Sequence, residues 1–375
     1  MSNPALDSGT SGVKKVLGYA AVEKGGKLLP FVFDRRPTQP RDVVFRILYC
    51  GICHSDLHQI RDEWSDDVPA QYPIVPGHEM TGIVCDVGDE VTRFKIGNRV
   101  GVGCLVNSCG KCSHCKRNLE QYCEEKPIWT YNDKDIYTDN LPTYGGFSTL
   151  MVAPERFVIK IPDGLPMDGA APLLCAGITV YSPMMHYKMQ QGGKHFGVVG
   201  LGGLGFMAAK FARAMGMQVT VISSSPDKEL EARACLRADD FIVSSDLKRM
   251  KKAEKTLDFI IDTVSAPHSF DKYLPLLRTN GQMVLVGMPH KPLTVSSMLL
   301  AAGRRSVAGS MIGGLKETQE MMDFCGKHHI FCLVERIPMD YVNNAMVRLH
   351  NSDVKYRFVI DCKTIKNPTA IYGCH

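Results

Sequence analysis

The sequence lacks three features that would place the protein on nucleic acid, in a membrane or on a secretory route. It has no long basic run, and its formal net charge is only +5 over 375 residues, so nucleic acid is not an expected partner. No apolar run approaches the roughly 20 residues that a membrane-spanning helix needs. The first dozen residues have neither the basic start nor the apolar stretch of a secretory signal. We therefore expect a cytoplasmic protein.

Size and composition indicate a globular protein of about two domains. At 375 residues, the chain is too long for one ordinary hydrophobic core, and it is 45% hydrophobic and 22% charged. It has no tandem repeat and no low-complexity segment. Its 14 cysteines, in a reducing compartment, are expected to be thiols or metal ligands rather than disulfides.

One short stretch near the N-terminal end is rich in groups that bind metal or move protons. It supplies a thiol, a hydroxyl, two imidazoles and a carboxylate, at Cys53, Ser55, His58, His78 and Glu79. Sulfur together with imidazole is typical zinc chemistry, and a catalytic zinc uses three protein ligands and keeps one position open. This stretch offers Cys53 and His78 and lacks a third ligand.

A second cysteine cluster predicts a structural zinc. Cys109, Cys112, Cys115 and Cys123 are spaced C-x2-C-x2-C-x7-C. Two-residue gaps let a tight turn aim successive sulfurs at one ion, and four thiolates close a tetrahedral site. The alternatives are an iron–sulfur cluster and four unrelated thiols.

Short β-branched segments surround both cysteine groups. The segment 42–49 is typical of a strand, and glycine-punctuated segments at 81–88 and 98–103 continue the pattern. Such spacing favours a compact, barrel-like β domain. Near residue 172 the sequence becomes small and apolar, as in a buried helix at a domain boundary. By itself Cys175, within that segment, is more typical of a core thiol than of a metal ligand.

A glycine-rich turn predicts a dinucleotide site. It consists of Gly200, Leu201, Gly202, Gly203, Leu204 and Gly205. The turn follows an apolar strand, opens a helical pattern and is followed by a second strand at 218–222. Glycine lets the backbone approach a pyrophosphate, and the helix N-terminus favours its charge. Strand and helix alternation continues to about residue 287, which predicts a doubly wound parallel sheet.

The residues after the second strand favour NADP(H) over NAD(H). An NAD site normally has an acidic residue at that strand end, to bind the ribose hydroxyls. Here the chain has Ser223, Ser224 and Ser225, followed by Lys228. Hydroxyls and an ammonium group bind a 2′-phosphate, which a carboxylate would repel. The alternative is a polar loop without a ligand.

Taken in order, these motifs resemble the zinc-dependent medium-chain alcohol dehydrogenases. The resemblance rests on Cys-Gly-Ile-Cys-His-Ser-Asp, Gly-His-Glu, the four-cysteine lobe, Leu-Leu-Cys-Ala-Gly and Gly-Leu-Gly-Gly-Leu-Gly. The segments 119–123, 128–133 and 354–361 are similar to the plant cinnamyl alcohol dehydrogenase group. The resemblance implies an α/β fold, with a GroES-like β-rich catalytic domain and a Rossmann nucleotide-binding domain, and a homodimer formed through the nucleotide domains.

The same resemblance implies domain ranges and residue roles. The catalytic domain would span 1–174, with the structural zinc lobe at 104–124; the NADP-binding domain would span 175–313, and 314–375 would return to the catalytic domain. Two zinc ions per chain and NADP(H) are the implied cofactors. The implied catalytic zinc ligands are Cys53, His78 and Cys175, and Glu79 can approach the zinc when substrate is absent; the alternative for Glu79 is a carboxylate that orients a ligand. The implied proton relay consists of Ser55 and His58, and the alternative for His58 is a surface residue. For the cofactor, the resemblance implies pyrophosphate at Gly200 to Gly205, the 2′-phosphate at Ser223, Ser224, Ser225 and Lys228, and the nicotinamide half at Thr263, Gly287, Ser310, Met311 and Ile312.

The implied activity is the interconversion of an aromatic or allylic primary alcohol and its aldehyde. Trp129 resembles a wall of the substrate pocket, although a core tryptophan is the alternative. The loop 61–72, which carries Trp64, is longer and more acidic than its counterpart in the family, and this leaves room for terpenoid or alkaloid-derived aldehydes. Two other functions remain open: reduction of a C=C or iminium bond, and a non-catalytic NADP-binding protein. The last residues, 367–375, are expected to form a loose tail.

Overall fold

The computed structural model describes residues 12–289 and 291–366, so the expected C-terminal tail lies outside the described residues. The described chain divides into two compact units. The first comprises described residues of Met1–Leu174, Glu335–Val354 and Phe358–His375, and the second comprises Cys175–Val334 and Lys355–Arg357. Among the residues that the structure describes, no helix is long and apolar enough to cross a membrane.

The elements follow one another along the chain in three groups. The first group contains β1 (Lys14–Ala20), β2 (Leu29–Arg35), β3 (Asp42–Gly51), α1 (His54–Ile60), β4 (Met80–Val87), β5 (Arg99–Val102), β6 (Leu105–Asn107), α2 (Ser113–Lys116), β7 (Ile128–Trp129), β8 (Leu150–Pro154), β9 (Ile159–Lys160) and α3 (Met167–Ala170). The second contains α4 (Ala176–His186), β10 (His195–Val199), α5 (Gly203–Ala214), β11 (Gln218–Ser223), α6 (Glu229–Leu236), β12 (Asp240–Val243), α7 (Leu247–Lys252), β13 (Leu257–Asp262), β14 (Leu277–Leu285), α8 (Ser297–Ala301), β15 (Ser306–Gly309) and α9 (Leu315–His328). The last contains β16 (Val334–Pro338), α10 (Val342–His350) and β17 (Arg357–Asp361).

The first unit is built around β3. Its β-branched and aromatic residues are nearly all buried, because β3 pairs antiparallel with β4, β8 and β17 in a seven-stranded sheet. Val43, Phe45 and Phe358 belong to the core on this sheet and are fully buried. The pairing of Val359 with Gly51 brings the end of the chain beside the segment that leads into α1. The sequence predicted this β-rich unit, although not how the last strand joins it.

The second unit contains six parallel strands in the order β12-β11-β10-β13-β14-β15. If the strands are numbered within this unit, their order is 3-2-1-4-5-6, which is that of a Rossmann sheet. The order in which successive strands are added reverses between β10 and β13. Phe196, Val198 and Val199 of β10 are buried, as expected for a central parallel strand covered on both faces. The predicted fold class is confirmed.

The second unit extends further along the chain than residue 313. Residues 314–334, which we expected in the returning catalytic segment, lie in the second unit. The reason is the packing of α9 on α4: Ser182 Oγ donates a hydrogen bond of 2.7 Å to Glu317, and the rings of Tyr181 and Phe324 lie 5.9 Å apart. The first unit resumes at Glu335.

Candidate metal centres and cofactor site

The four cysteines of the lobe converge on one point. Their sulfur atoms lie within 4.8 Å of one another, with Cys109 and Cys115 at 3.9 Å and Cys112 and Cys123 at 4.0 Å. A tetrahedral zinc with Zn–S bonds of about 2.3 Å requires sulfur–sulfur distances of about 3.8 Å. The donor set therefore fits a structural zinc in both chemistry and spacing.

Backbone amides donate hydrogen bonds to two of the sulfur atoms in the lobe. The amide of Cys112 donates to the sulfur of Cys109, and the amide of Cys115 donates to the sulfur of Cys112, each at 3.4 Å. The Cys115 amide is the largest cause that lowers the pKa of Cys112, to about 6. This amide favours the thiolate, metal-binding form of Cys112, whereas burial raises the pKa of Cys115 to about 12.

A second cluster joins the metal-binding residues that the sequence singled out. The ligand atoms of Cys53, His78, Glu79 and Cys175 all lie within 4.8 Å of one another. Cys53 precedes α1, and His78 and Glu79 precede β4. Cys175 is bonded directly to Leu174, the residue at which the first segment of the first unit ends. This bond keeps Cys175 close to the other three residues. Two sulfurs, an imidazole and a carboxylate form a donor set that fits a catalytic zinc.

Asp56 supports this cluster, and sequence reasoning missed it. Its side chain is fully buried and accepts the amide hydrogens of Cys53 at 2.9 Å and of Gly77 at 3.0 Å. His78 Nδ1 lies 3.2 Å from the same carboxylate, which leaves Nε2 of that ring as the atom available to a metal. Burial opposes the charged imidazole, but Asp56 outweighs it and raises the pKa of His78. The sequence feature that could have indicated this role is the position of Asp56, three residues after Cys53, at the start of the predicted metal-binding stretch.

Glu79 reaches the cluster because residue 51 is glycine. The carboxylate is fully buried, and a Cβ on Gly51 would lie 1.9 Å from Glu79 Oε2. Any larger residue at position 51 would displace the carboxylate. This space keeps Glu79 beside Cys53 and His78.

The two residues predicted to move protons lie on α1 but contact different partners. Ser55 Oγ donates a hydrogen bond of 3.0 Å to Cys53 Sγ. His58 Nδ1 lies 2.5 Å from Glu63, and the His58 ring lies 4.9 Å from the ring of Trp64. In the described part of the chain, no direct hydrogen bond joins Ser55 to His58. A proton passing between them would need an intervening group.

The acidic loop is tied to the first unit by its own hydrogen bonds. The amide of Val68 donates to the carbonyl of Trp64 at 2.7 Å, and the amide of Ala70 donates to Asp62 at 2.9 Å. Tyr72 OH donates to the carbonyl of Ile60 at 2.8 Å. The loop therefore continues α1 as a closed turn that holds Trp64 over His58.

The other tryptophan occupies a short strand beside the lobe. Trp129 is half-buried in β7, where it pairs with Leu105, and its amide donates to Asp133 at 3.0 Å. Among the residues that the structure describes, no ring contact joins Trp129 to Trp64.

The glycine-rich turn has the close backbone packing that a pyrophosphate site needs. Gly200 has a φ of +87°, which favours glycine, and follows directly after β10. A Cβ on Gly205 would lie 2.0 Å from the carbonyl oxygen of Gly200, so no larger residue fits there. The turn leads into the N-terminus of α5, whose free amides and dipole favour an anion.

The residues predicted for the nicotinamide half follow three strands at the same edge of the sheet. Thr263 follows β13, and its Oγ1 lies 2.9 and 3.2 Å from the carbonyl oxygens of Val199 and Gly200, which share its one hydroxyl hydrogen. Gly287 follows β14, and a Cβ there would lie 2.3 Å from the carbonyl oxygen of Val264. Ser310, which follows β15, is half-buried, as are Met311 and Ile312. Ligands of open α/β sheets bind at this carboxyl edge.

The predicted 2′-phosphate residues surround the end of β11. Ser223 is buried, and its Oγ accepts the amide hydrogen of Ser225 at 3.2 Å; Ser224 is exposed. Lys228 Nζ donates to the carbonyl of Leu201 at 2.8 Å, which places the ammonium group beside the glycine-rich turn. Burial lowers the pKa of Lys228. This arrangement suits a bound phosphate better than a ribose diol.

Arg357 is a second residue that sequence reasoning missed. It is buried, and its Nε lies 2.5 Å from the position that a Cβ on Gly203 would take, at the first residue of α5. The preceding Tyr356 stacks on Phe206, with ring centroids 4.2 Å apart. In the sequence, this segment shows only a resemblance to a family, and no local pattern indicates a role for Arg357.

The chain is similar to known dehydrogenases over nearly its whole length. A family model described as an alcohol dehydrogenase GroES-like domain matches residues 39–163, and one described as a zinc-binding dehydrogenase matches residues 203–327. The chain is 56% identical to vomilenine reductase of Rauvolfia serpentina over 94% of this chain and 97% of that protein. It is also 56% identical to 8-hydroxygeraniol dehydrogenase of Catharanthus roseus, with the same coverage of both chains.

Two solved structures share the fold. A cinnamyl alcohol dehydrogenase of Sorghum bicolor superimposes with a TM-score of 0.91 at 50% identity, covering 94% of this chain and 99% of that one. The cinnamyl alcohol dehydrogenase of Helicobacter pylori, solved in complex with NADP(H), gives a TM-score of 0.87 at 40% identity, covering 94% of this chain and 100% of that one. Zinc and NADP(H), the cofactors expected from the sequence, are thus those of its family and relatives. The chain is an enzyme that belongs to the zinc-dependent medium-chain alcohol dehydrogenase family, in the group that includes the plant cinnamyl alcohol dehydrogenases.

Proposed function

We propose that this dehydrogenase interconverts an aromatic or allylic primary alcohol and its aldehyde with NADP(H). The observation that carries the proposal is the cluster of Cys53, His78 and Cys175, with the Ser55 hydroxyl 3.0 Å from Cys53 Sγ. Three such ligands leave one position of a tetrahedral zinc for a substrate oxygen. The hydroxyl of Ser55 would give that oxygen its proton or take it away.

The roles of the metal-binding residues follow from their chemistry. Cys53, His78 and Cys175 would hold the catalytic zinc, and Glu79 would exchange with them as a fourth, oxygen ligand. A bound zinc supplies a Lewis acid, which makes an alcohol easier to ionise and a carbonyl more electrophilic. The lobe at Cys109 to Cys123 would hold a second zinc, so we propose two per chain.

The cofactor would bind along the carboxyl edge of the parallel sheet. The α5 N-terminus and the turn at Gly200 would bind the pyrophosphate, with the buried guanidinium of Arg357 beside them. Ser223, with Ser224 and Ser225, and Lys228 would bind the 2′-phosphate. Thr263, Gly287 and Ser310 to Ile312 would line the nicotinamide half.

The reaction moves a proton as well as a hydride. Oxidation of an alcohol releases the proton of its hydroxyl group, and reduction of an aldehyde takes a proton up, so a path between the site and solvent is needed. Ser55 is half-buried and touches a metal ligand, whereas His58 is partly exposed on the next turn of α1. We assign Ser55 to the substrate end of the relay and His58 to the solvent end. No direct hydrogen bond joins them within the described chain, so a cofactor hydroxyl or a water would bridge the gap.

The substrate would be a small alcohol or aldehyde with an unsaturated or aromatic body. Trp64 and Trp129 are both half-buried and offer flat apolar faces to such a group. The acidic loop that carries Trp64 leaves room for terpenoid or alkaloid-derived aldehydes beside cinnamyl substrates. We also place the enzyme in the cytoplasm, where reducing conditions would keep its cysteines available as thiols or metal ligands.

A homodimer formed through the nucleotide-binding units is the proposed assembly. β15 ends the parallel sheet and therefore has an edge available for pairing. Met288 and Met298, on the segments that precede it, are 58% and 71% exposed and would be covered by a partner at this edge. Light scattering of the purified protein would test this assembly, and a monomer would contradict it.

A second candidate function is the reduction of a C=C or iminium bond. Its support is the 56% identity to vomilenine reductase. The complete set of zinc ligands, together with Ser55, favours the carbonyl reaction, because reduction of C=C does not need a Lewis acid on oxygen. A non-catalytic role has no comparable support.

A substrate panel separates these functions. The purified enzyme would be assayed with NADPH against cinnamyl and terpenoid aldehydes, iminium ions and enals, and the product of each enal would be identified. We expect an alcohol product that retains its C=C bond, and oxidation of the same alcohol with NADP⁺. A saturated aldehyde product from an enal, without alcohol, would overturn the proposal.

A further inference from the structure

A histidine pairs with a buried carboxylate at the edge of the parallel sheet where the cofactor is proposed to bind. Asp262 is the last residue of β13 and is fully buried, and His268 Nε2 lies 2.6 Å from its Oδ2. The other ring nitrogen of His268, Nδ1, lies 2.9 Å from the carbonyl oxygen of Ala266. The imidazole therefore folds the intervening loop, residues 263–267, back onto the end of the strand.

Both partners of this ring are hydrogen-bond acceptors. A carboxylate and a carbonyl only accept, so each ring nitrogen of His268 must donate if both contacts are to be hydrogen bonds. A neutral imidazole carries one N–H group, whereas an imidazolium carries two. The contacts of His268 therefore select its charged form. The hydrogen bond with Asp262 is also the largest cause that raises the pKa of His268.

Among the described residues, Asp262 supplies the charge that faces His268, and the other neighbours of the ring are aromatic. The rings of Phe270 and Tyr273 lie 5.7 and 6.0 Å from the imidazole, on the segment that follows the loop. Burial and then the charge of Asp262 raise the pKa of the Tyr273 hydroxyl, so this hydroxyl stays neutral where histidine titrates. A proton lost from His268 therefore leaves a buried carboxylate without its cationic partner.

The loop that His268 closes packs against two glycines of the cofactor edge. The amide of Val264 donates to Asp262 Oδ1 at 3.0 Å, which fixes the start of the loop. A Cβ on Gly200 would lie 3.0 Å from Val264 Cγ2, and a Cβ on Gly287 would lie 2.3 Å from the carbonyl oxygen of Val264. Gly200 belongs to the proposed pyrophosphate turn, and Gly287 belongs to the proposed nicotinamide site. The loop thus forms the wall between these two parts of the cofactor site.

We propose that His268 is a positioning residue for NADP(H), whose imidazolium, held between Asp262 and the Ala266 carbonyl, keeps residues 263–267 in the shape that the cofactor needs. When the ring loses its second proton, one of its two hydrogen bonds is lost and the loop is no longer closed. Affinity for the cofactor should therefore fall as the pH rises through the pKa of His268. The inference rests on the proposed cofactor site and deepens it, because it assigns a part in cofactor binding to a residue outside the predicted set.

The dissociation constant for NADPH, measured by fluorescence titration of the full-length, zinc-loaded enzyme, tests this with His268→Gln as the variant. Glutamine keeps a hydrogen-bond donor but carries no charge. Since hydrogen bonds to charged groups are the stronger ones, we expect the variant to bind NADPH about ten-fold more weakly than the wild type near pH 7. Above the pKa of His268 the wild-type ring is neutral as well, so the ratio of the two constants should narrow to about two-fold or less towards pH 9. Lys228, whose pKa burial lowers, is present in both proteins, so its own titration cancels in this ratio.

His195→Gln is the matched control. His195 begins β10, at the end of the strand opposite the cofactor edge; it is also half-buried, and its Nε2 lies 3.1 Å from Thr220 Oγ1. This variant should bind NADPH within about two-fold of the wild type at every pH, because it changes a histidine remote from the loop. Equal affinity in His268→Gln and the wild type, or a loss of affinity that stayed the same at every pH, would overturn positioning by the charged ring.

A measurement on the wild type covers the case in which His268→Gln does not fold. If the protonated ring favours the cofactor, bound NADPH must in turn raise the pKa of His268, because coupling between two binding equilibria is reciprocal. NMR titration of the histidine ring signals with and without NADPH measures this pKa, with the His268 signal identified by its contacts with Phe270 and Tyr273. A pKa that NADPH left unchanged or lowered would contradict the role of His268. A wild type that bound no NADPH would instead overturn the proposed cofactor site, and this inference with it.

Discussion

The carboxylate of Asp56 lies 3.2 Å from Nδ1 of His78, and its other oxygen accepts the amide hydrogen of Cys53. One fully buried side chain therefore orients two proposed metal ligands that are 25 residues apart in the chain (78 minus 53). A carboxylate behind a ligating imidazole fixes the ring and increases its basicity. The geometry of the metal centre thus depends on a residue that is not itself in the ligand cluster.

Replacing Asp56 by asparagine should weaken the catalytic zinc site. Loss of such an outer partner typically costs about ten- to a hundred-fold in metal affinity. Dialysis against increasing chelator, followed by metal analysis, should show the variant falling from two zinc ions per chain to one at a concentration that leaves the wild type with both. The lobe zinc serves as the internal control. Retention of both ions under those conditions would contradict the orienting role of Asp56.

The four-cysteine lobe could be predicted from residue type and spacing, whereas Cys175 of the second cluster was assigned only through the family resemblance. Four cysteines with two-residue gaps predict one site, and the structure brings their sulfurs together. Asp56 could not be found in the same way, because an acidic residue near the start of a helix is also a common helix cap. Its contact with His78 depends on how α1 packs against the turn before β4.

The other residues that could not be predicted are those whose position depends on how the chain folds back on itself. Arg357 lies beside Gly203 because the chain returns to the second unit for three residues, and no local pattern predicts such a return. The acidic loop was recognised from its composition, but the pairing of Glu63 with His58 depends on a turn at Asp62 with positive φ. Aspartate is one of the few residues that adopt it readily, so the signal existed but was weak.

Changing Ser223 to aspartate should shift the cofactor preference from NADPH toward NADH. Ser223 is buried at the end of β11, where a carboxylate would repel the 2′-phosphate and accept hydrogen bonds from a ribose diol. A charged hydrogen bond contributes about 1.5–3 kcal/mol, so the ratio of kcat/KM for NADPH over NADH should fall by at least about ten-fold. Asp227→Asn, on an exposed neighbour, is the control. An unchanged ratio would remove Ser223 from the phosphate site.

Changing Gly205 to alanine should weaken NADPH binding. The new Cβ would lie 2.0 Å from the carbonyl oxygen of Gly200, so the turn before α5 must shift. We expect the dissociation constant for NADPH, measured by fluorescence titration, to rise about ten-fold, which corresponds to the lower end of the 1–3 kcal/mol cost of overpacking. Gly164→Ala is the matched control, because a Cβ there meets nothing within 4 Å. Equal affinity in both variants would show that the turn tolerates a side chain.

The pairing of His268 with Asp262 should make stability depend on pH. His268 Nε2 lies 2.6 Å from the buried carboxylate of Asp262, and this hydrogen bond is the largest cause that raises the pKa of His268. A raised pKa in the folded state contributes stability that is fully present below the unfolded value of about 6.5 and is lost as the pH rises through the folded value. The melting temperature of His268→Gln should therefore lie furthest below that of the wild type near pH 6, and the gap should narrow towards pH 9. Thermal unfolding followed by circular dichroism across this range measures the gap, and one that stayed constant or widened with pH would show that the pair does not stabilise the fold through the charged imidazole.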